Sequence, residues 1–151
     1  MKLYEYKITR HYIGEGQEEY HVSGETQAAK YLSHLGYHAL DQEVFLLLTL
    51  DTKNKITGVT EITRGLLDRS HAHPREVFKP AILASASKII VCHNHPSGNT
   101  RPSLQDVSLT RDLVEAGKLL GIPCVDHIII AEEKGEFLHR SMRKELDVEF
   151  S

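Results

Sequence analysis

Two histidines, His93 and His95, stand two residues apart at the end of an apolar stretch. Alternate side chains of an extended segment point to the same side, so the two imidazoles converge, while Cys92 and Asn94 face the other way. The loop over residues 96–102 can bring the chain back, and the next helix then presents Asp106 in its first turn to the same point. Two imidazoles and one carboxylate suit Zn²⁺ and leave a fourth position for water.

Each of these residues also has an ordinary structural interpretation. A lone His-x-His pair is a weak indication of metal, and Ser103 with Asp106 three residues later forms a capping pair at a helix start. The conjunction is what favours a metal: a histidine pair at a strand end, a Pro-Ser-Gly stop and a carboxylate on the following helix. On spacing alone, the metal site and the structural interpretation stay equally open.

Hydrolysis at such a site needs two further groups. Zinc lowers the pKa of a bound water to about 7, and a general base beside that water must accept its proton. A donor must also stabilise the developing oxyanion. The hydroxyl of Ser103 lies near the expected mouth of the site and can be that donor, whereas the base must come from elsewhere in the chain.

The elements that must position these residues alternate between strands and helices without a strict βαβ rhythm. This order favours an α/β fold with a mixed sheet flanked by helices. The spacing of apolar residues predicts helices over 25–38, 74–86 and 104–120, a hairpin over 43–63, a strand over 88–93 and a strand pair over 124–138. A further hairpin is expected within residues 1–24, and residues 142–151 read as a loose polar tail.

Composition narrows the function classes. The chain has 151 residues, a net charge of −3 and two cysteines, which predicts one domain in a reducing cytoplasm, without a disulfide framework or membrane span. The negative charge argues against a nucleic-acid partner, although Lys79, Lys88, Arg101 and Arg111 could form a local basic patch. Of the ten histidines, His127 is expected to make a core hydrogen bond, with a role beside the site as the alternative.

The motif at residues 93–106 resembles that of the JAMM (MPN-type, or JAB) metalloproteases. More narrowly, the sequence resembles the RadC family of bacterial JAMM-domain proteins, and further matching segments lie at residues 50–54, 73–76, 102–103 and 126–127. The resemblance covers about residues 25–140. It implies the cytidine-deaminase-like JAMM fold, a curved mixed sheet flanked by helices, with a hairpin extension over 1–24 and a polar tail over 141–151.

The resemblance also implies roles for individual residues. His93, His95 and Asp106 would bind one Zn²⁺, and Ser103 would be the oxyanion donor. JAMM domains carry an upstream glutamate as general acid and base, and two positions compete for that role. Glu43 is favoured because it leads from a helix end into the sheet, while Glu76, at the start of the helix before the His-x-His strand, is the alternative.

A zinc-dependent hydrolase follows from this resemblance, most simply a metallopeptidase or isopeptidase that attacks an amide bond of a peptide or protein with metal-activated water. Two alternatives stay open: a DNA-repair-associated hydrolase that acts on nucleic acid, and a JAMM scaffold without catalysis. Longer RadC proteins carry a helix-hairpin-helix module of a DNA-binding type. Residues 1–24 are expected to form only a hairpin, so a DNA role inferred from that module does not transfer. The sequence indicates no oligomeric state.

Overall fold

In the computed structural model, which describes residues 1–5, 21–65, 72–146 and 150, five strands form one open mixed sheet. The strands are Val44–Leu50 (β1), Ile56–Arg64 (β2), Lys88–Asn94 (β3), Cys124–Glu133 (β4) and Glu136–Ser141 (β5). Their spatial order is β2-β1-β3-β4-β5. Strands β3 and β4 are parallel, whereas the other neighbouring pairs are antiparallel.

Helices cover both faces of this sheet, which confirms the predicted fold class. The helices are Glu25–Leu35 (α1), Pro74–Leu83 (α2), Leu104–Leu120 (α3) and Met142–Glu145 (α4). Helix α1 packs on one face, and α2 and α3 pack together on the other. Because α3 connects the parallel strands β3 and β4, its first turn begins beside the end of β3, where the histidine pair lies.

The central strands are apolar on both faces because both faces are covered. In β1, Phe45 and Leu47 pack into the layer of α2 and α3, while Val44 and Leu46 pack into the layer of α1. Every residue of β1 is buried. This strand therefore forms a rigid support that runs antiparallel to β3 and delivers its first residues to the end of β3.

A one-residue shift in register determines which face His127 occupies. Ile89 of β3 pairs with Cys124, but Ile90 pairs with Asp126, so Val125 is an extra residue in β4. Such an insertion reverses the inward and outward sense of the residues that follow it. As a result His127 pairs with Val91 and faces the same layer as the other odd-numbered residues of β3, including His93.

Several predicted boundaries differ from the structure. Helix α1 ends at Leu35 because Gly36 adopts a left-handed conformation with φ of 76°, and residues 37–39 form a 3-10 turn. Helix α2 ends at Leu83, three residues before the predicted end at residue 86, and Ile82 in its last turn is 52% exposed. The hairpin predicted within residues 1–24 falls mainly on residues 6–20, which lie outside the described residues. Residues 1–5 are exposed and form no strand.

The prediction of a loose polar tail over residues 142–151 is wrong for its described part. Ser141 ends β5, and residues Met142–Glu145 form helix α4. Met142 is fully buried and Phe150 is 6% exposed, both in the core layer of α2 and α3. The burial of these two apolar side chains outweighs the polar composition around them. Among the described helices, none combines the length and the apolar character that crossing a bilayer requires.

Asp126 connects the end of the sheet to this C-terminal segment. Its Oδ1 accepts the backbone N–H groups of His127 at 2.7 Å and Arg143 at 3.1 Å, and its Oδ2 accepts the hydroxyl of Ser141 at 2.6 Å. Burial raises the pKa of the Asp126 carboxyl, although these hydrogen bonds favour its ionised form. We therefore expect Asp126 to contribute to stability mainly through the hydrogen bonds that it accepts and less through its charge.

The variants Asp126→Ala and Asp126→Asn separate these two contributions. Asp126→Ala leaves two backbone N–H groups without an acceptor and should lower the free energy of unfolding by about 2 kcal/mol or more. Asp126→Asn keeps a carbonyl oxygen for those groups and should stay within about 1 kcal/mol of the parent. Urea unfolding followed by circular dichroism measures both. Equal destabilisation by the two variants would instead assign the effect to the charge.

Candidate metal centre

Strands β1 and β3 bring Glu43 to the histidine pair. Phe45 pairs with His93 across the two strands. The side chain of Asn94 then encloses the backbone around Glu43, since Asn94 Oδ1 accepts the N–H of Val44 at 2.7 Å and its Nδ2 donates to the carbonyl of Gln42 at 2.8 Å. Glu43 is thereby held at the end of β3, although it lies far from that strand in sequence.

His93 and His95 converge as the alternation along β3 predicted. Their Nε2 atoms are 2.9 Å apart. Asp106 Oδ1 lies 3.3 Å from Nε2 of His93, and Asp106 Oδ2 lies 3.3 Å from Nε2 of His95. Cys92 faces the opposite layer, where burial raises the pKa of its thiol, so it takes no part in the site.

Asp106 caps helix α3 and also contacts the histidine pair. Ser103 is the N-cap of α3: its Oγ accepts the N–H of Asp106 at 3.0 Å, and its own N–H donates to Asp106 Oδ2 at 2.8 Å. This reciprocal capping box fixes the rotamer of Asp106. The same carboxylate then contacts both imidazoles, so the structural and the functional interpretations are compatible.

The hydrogen bond behind His95 determines which of its nitrogens faces the site. Nδ1 of His95 lies 2.7 Å from the backbone carbonyl of Asn99, which can only accept. In the turn over residues 95–98 the N–H of Gly98 donates to the carbonyl of His95. This turn brings the carbonyl of Asn99 next to Nδ1 of His95. Nδ1 therefore carries the proton, and neutral His95 presents a bare Nε2 to the cluster.

Glu43 adds a second carboxylate to this acceptor cluster. Its Oε1 lies 3.8 Å from Nε2 of His93, and ligand atoms of Glu43, His93 and His95 all lie within 4.8 Å of one another. Carboxylate oxygens and bare imidazole nitrogens repel each other unless a cation or a proton lies between them. This donor set fits a divalent metal, and nitrogen with oxygen ligands is compatible with zinc.

Glu76, the alternative glutamate, lies elsewhere. It belongs to the first turn of α2, where it pairs with Lys79 at 3.1 Å and with Arg75 at 3.5 Å. These partners, the hydrogen bond to Lys79 first, lower the pKa of its carboxyl. Among the described residues around the histidine pair, Glu43 and Asp106 are the carboxylates in contact with it.

The ionisation of the site follows from burial and from these contacts. Burial alone would raise the pKa of Asp106, but its contacts with the imidazoles of His93 and His95, whose protonated forms attract the carboxylate, and the N–H of Ser103 lower it far below its usual range. Burial would lower the pKa of His95, but Asp106 and the Asn99 carbonyl outweigh it and raise that pKa. Burial raises the pKa of Glu43 despite the attraction of both imidazoles.

An open cavity of about 410 Å³ gives access to this cluster. Its described lining residues are Glu43, His95, Pro96, Ser97, Asn99, Arg101, Ser103, Gln105 and Asp106. Ser103 is thus on the wall of the cavity, as its sequence position predicted. Both carboxylates and the imidazole of His95 are therefore accessible from the cavity.

Two contributions were not predicted from the sequence, and a third was weighed there only as an alternative. Asn94 fixes the backbone around Glu43, and the hydroxyl of Thr110 hydrogen-bonds to Nδ1 of His127. His127 contacts His93 directly, with its Nε2 2.7 Å from His93 Nδ1. His127 therefore makes the core hydrogen bond that we expected, and its partner is a residue of the site. Its position beside Asp126 gave no indication of that partner, because the register shift at Val125 sets the face.

Residues 22–146 match the family model described as RadC-like JAB domain. The chain is 50% identical over 95 residues to a UPF0758 protein of Clostridium perfringens, which covers 63% of this chain and 42% of the relative. It is 52% identical over 93 residues to a UPF0758 protein of Moorella thermoacetica, with 62% and 41% covered. The matched region thus spans about two-fifths of these relatives.

The pH dependence of stability in the metal-free protein tests the contact between His95 and Asp106. The pKa of His95 in the folded chain lies above the ordinary value of 6.5. Between these two values the folded chain binds more protons than the unfolded chain, so the free energy of unfolding falls as pH rises through that window. His95→Gln should remove this part of the slope, measured by urea unfolding with EDTA at about pH 6 and about pH 8. Equal slopes for parent and variant would contradict the assignment.

Proposed function

Because the chain belongs to the RadC-like JAB domain family, we propose that it is a zinc-dependent hydrolase that cleaves an amide bond in a peptide or protein. It would act as a metallopeptidase or isopeptidase. The observation that carries this proposal is the convergence of acceptor atoms from two imidazoles and two carboxylates at the wall of an open cavity.

Differences between the two carboxylates support separate roles for them. Asp106 contacts both Nε2 atoms at 3.3 Å, is buried, and is ionised because its pKa is lowered. Glu43 is farther away at 3.8 Å and more exposed, and its pKa is raised. Ionised Asp106 is the better metal ligand, and Glu43 has the raised pKa that suits a general base near neutral pH. We assign His93, His95 and Asp106 as ligands of one zinc ion and Glu43 as the general acid and base.

The residues of the chain would divide the reaction as follows. A bound zinc ion supplies a Lewis acid, which activates water and polarises a carbonyl oxygen. Glu43 accepts the proton of the attacking water and returns it to the leaving amine. The hydroxyl of Ser103 already accepts the N–H of Asp106, and its own proton is free to be donated to the developing oxyanion.

The positions of the basic residues favour a protein substrate over nucleic acid. The basic residues considered for a local patch do not surround the cavity: Lys88 begins β3 at the end opposite the histidine pair, and Lys79 pairs with Glu76. Arg101 is the one among them that lines the cavity in the described part of the chain. Retention of the complete acceptor cluster argues against a scaffold without catalysis. Both cysteines are free and buried, which supports the proposal of a reducing cytoplasm.

The variants Glu43→Gln and Glu76→Gln test the role of the base. Zinc-loaded protein is incubated with a mixture of unstructured peptides, some with isopeptide links to lysine, and cleavage is read by mass spectrometry. Glu43→Gln should retain about one equivalent of zinc and lose cleavage by about 100-fold or more, because the amide cannot accept a proton. Glu76→Gln, a matched change outside the cavity, should behave as the parent in both measurements.

His93→Ala completes the comparison, because it should lose zinc as well as cleavage. Zinc content is measured by metal analysis after dialysis. If zinc-loaded parent cleaves no member of the mixture, or Glu43→Gln cleaves as fast as the parent, the proposed mechanism is wrong.

A further inference from the structure

Three buried hydrogen bonds extend behind the candidate metal centre, away from the cavity. Nδ1 of His93 lies 2.7 Å from Nε2 of His127. Nδ1 of His127 lies 2.6 Å from the hydroxyl oxygen of Thr110, and that hydroxyl lies 2.6 Å from the backbone carbonyl of Asp106. His93, His127 and Thr110 are all fully buried. No other side chain in the described part of the chain hydrogen-bonds to the imidazole of His127.

The donor and the acceptor in each of these three hydrogen bonds follow from the bond between Thr110 and the backbone carbonyl of Asp106. A backbone carbonyl only accepts, so Thr110 donates its single hydroxyl proton to Asp106. The Thr110 oxygen must then accept from His127, whose Nδ1 therefore carries a proton. A neutral imidazole has one N–H, so Nε2 of His127 is bare and must accept the Nδ1 proton of His93. The remaining nitrogen of His93, Nε2, is bare and faces Asp106 and His95.

The three residues lie on elements whose positions are determined by packing and strand pairing, independently of the three hydrogen bonds. His93 lies on β3, His127 on β4 and Thr110 on α3. Phe45 fixes both rings: it stacks on His93 with a 15° interplanar angle and meets His127 edge-on with ring centroids 5.6 Å apart. The extra residue at Val125 places His127 on the required face. The hydrogen bonds therefore join rings whose orientation packing already determines.

We propose that His127 and Thr110 are positioning residues that keep His93 in the tautomer with a bare Nε2. This inference rests on the proposed function of His93 as a metal ligand and adds to it the residues that make the imidazole ready to bind. An imidazole can bind a metal only through a nitrogen without a proton, and the N–H on its far side orients it. Because the series ends on the backbone of Asp106, it also connects two of the assigned ligands.

A matched pair at Thr110 tests the role of the hydroxyl. Valine has nearly the shape of threonine but cannot accept a hydrogen bond from Nδ1 of His127. In Thr110→Val nothing therefore favours the tautomer of His127 with its proton on Nδ1. We expect Thr110→Val to weaken zinc binding by about tenfold or more, the range found for hydrogen-bond partners of metal-bound histidines. Thr110→Ser keeps the hydroxyl and should stay within about threefold of the parent. Competition with a chelator at neutral pH measures the affinities, and metal-free thermal unfolding shows that each variant is folded.

A second pair at His127 tests the same hypothesis should Thr110→Val fail to fold. The amide of His127→Gln reaches the position of Nε2 and offers a carbonyl oxygen to His93, whereas that of His127→Asn reaches only the position of Nδ1. The glutamine variant should bind zinc more tightly than the asparagine variant, by about tenfold. Equal affinities within either pair would overturn the proposal.

The most direct test is ¹⁵N NMR of the histidine side chains in the metal-free protein at mildly alkaline pH. It distinguishes the failure of this inference from the failure of the proposed function, because it needs neither zinc nor substrate. We expect His93 and His127 both to carry their proton on Nδ1 in the parent and in Thr110→Ser. In Thr110→Val the proton of His93 should shift towards Nε2. A parent in which His93 is protonated on Nε2, or a Thr110→Val spectrum with unchanged tautomers, would overturn the proposal.

Discussion

The repulsion among acceptor atoms that face one another at the end of β3 is the constraint on which the site depends. Nε2 of His95 is bare because Nδ1 donates to a backbone carbonyl, and it lies 2.9 Å from Nε2 of His93. Two carboxylates face the same point. Such a group is unfavourable unless a cation or a shared proton compensates for it. The surrounding fold must therefore hold these atoms against their mutual repulsion.

In this fold, strand β3 and the first turn of α3 each contribute both to the stability of the fold and to the site. Strand β3 directs His93 and His95 into the site, while Asn94 between them fixes the backbone around Glu43 on the other face. The first turn of α3 uses Asp106 both to cap the helix and to contact the imidazoles. Stability and function are coupled here, because a change in either element affects the helix or the sheet as well as the cluster.

Sequence reasoning predicted the parts of the site that depend on local spacing. The alternation along β3 predicted the convergence of His93 and His95, and the helix start at Ser103 predicted the direction of Asp106. Glu43 was favoured over Glu76 only through resemblance to a family. Its contact with His93 depends on the pairing of β1 with β3, and such pairing between distant segments is not encoded in local periodicity.

Contributions that depend on long-range register could not be predicted. The face of His127 is set by the extra residue at Val125, which no pattern in the apolar run indicated. The prediction of a loose tail over residues 142–151 was wrong for a related reason, because it considered local composition and not long-range packing. Polar residues dominate residues 142–151, yet Met142 and Phe150 lie in the core layer of α2 and α3, and Leu146 packs against it.

The account is tested most directly by a crystal structure of the zinc-loaded protein with anomalous data collected at the zinc absorption edge. The account predicts one anomalous peak about 2.0–2.2 Å from Nε2 of His93, Nε2 of His95 and an oxygen of Asp106. Glu43 should lie beside the peak, separated from it by a water. A peak bound to other residues, or none at this point in protein that contains stoichiometric zinc, would contradict it.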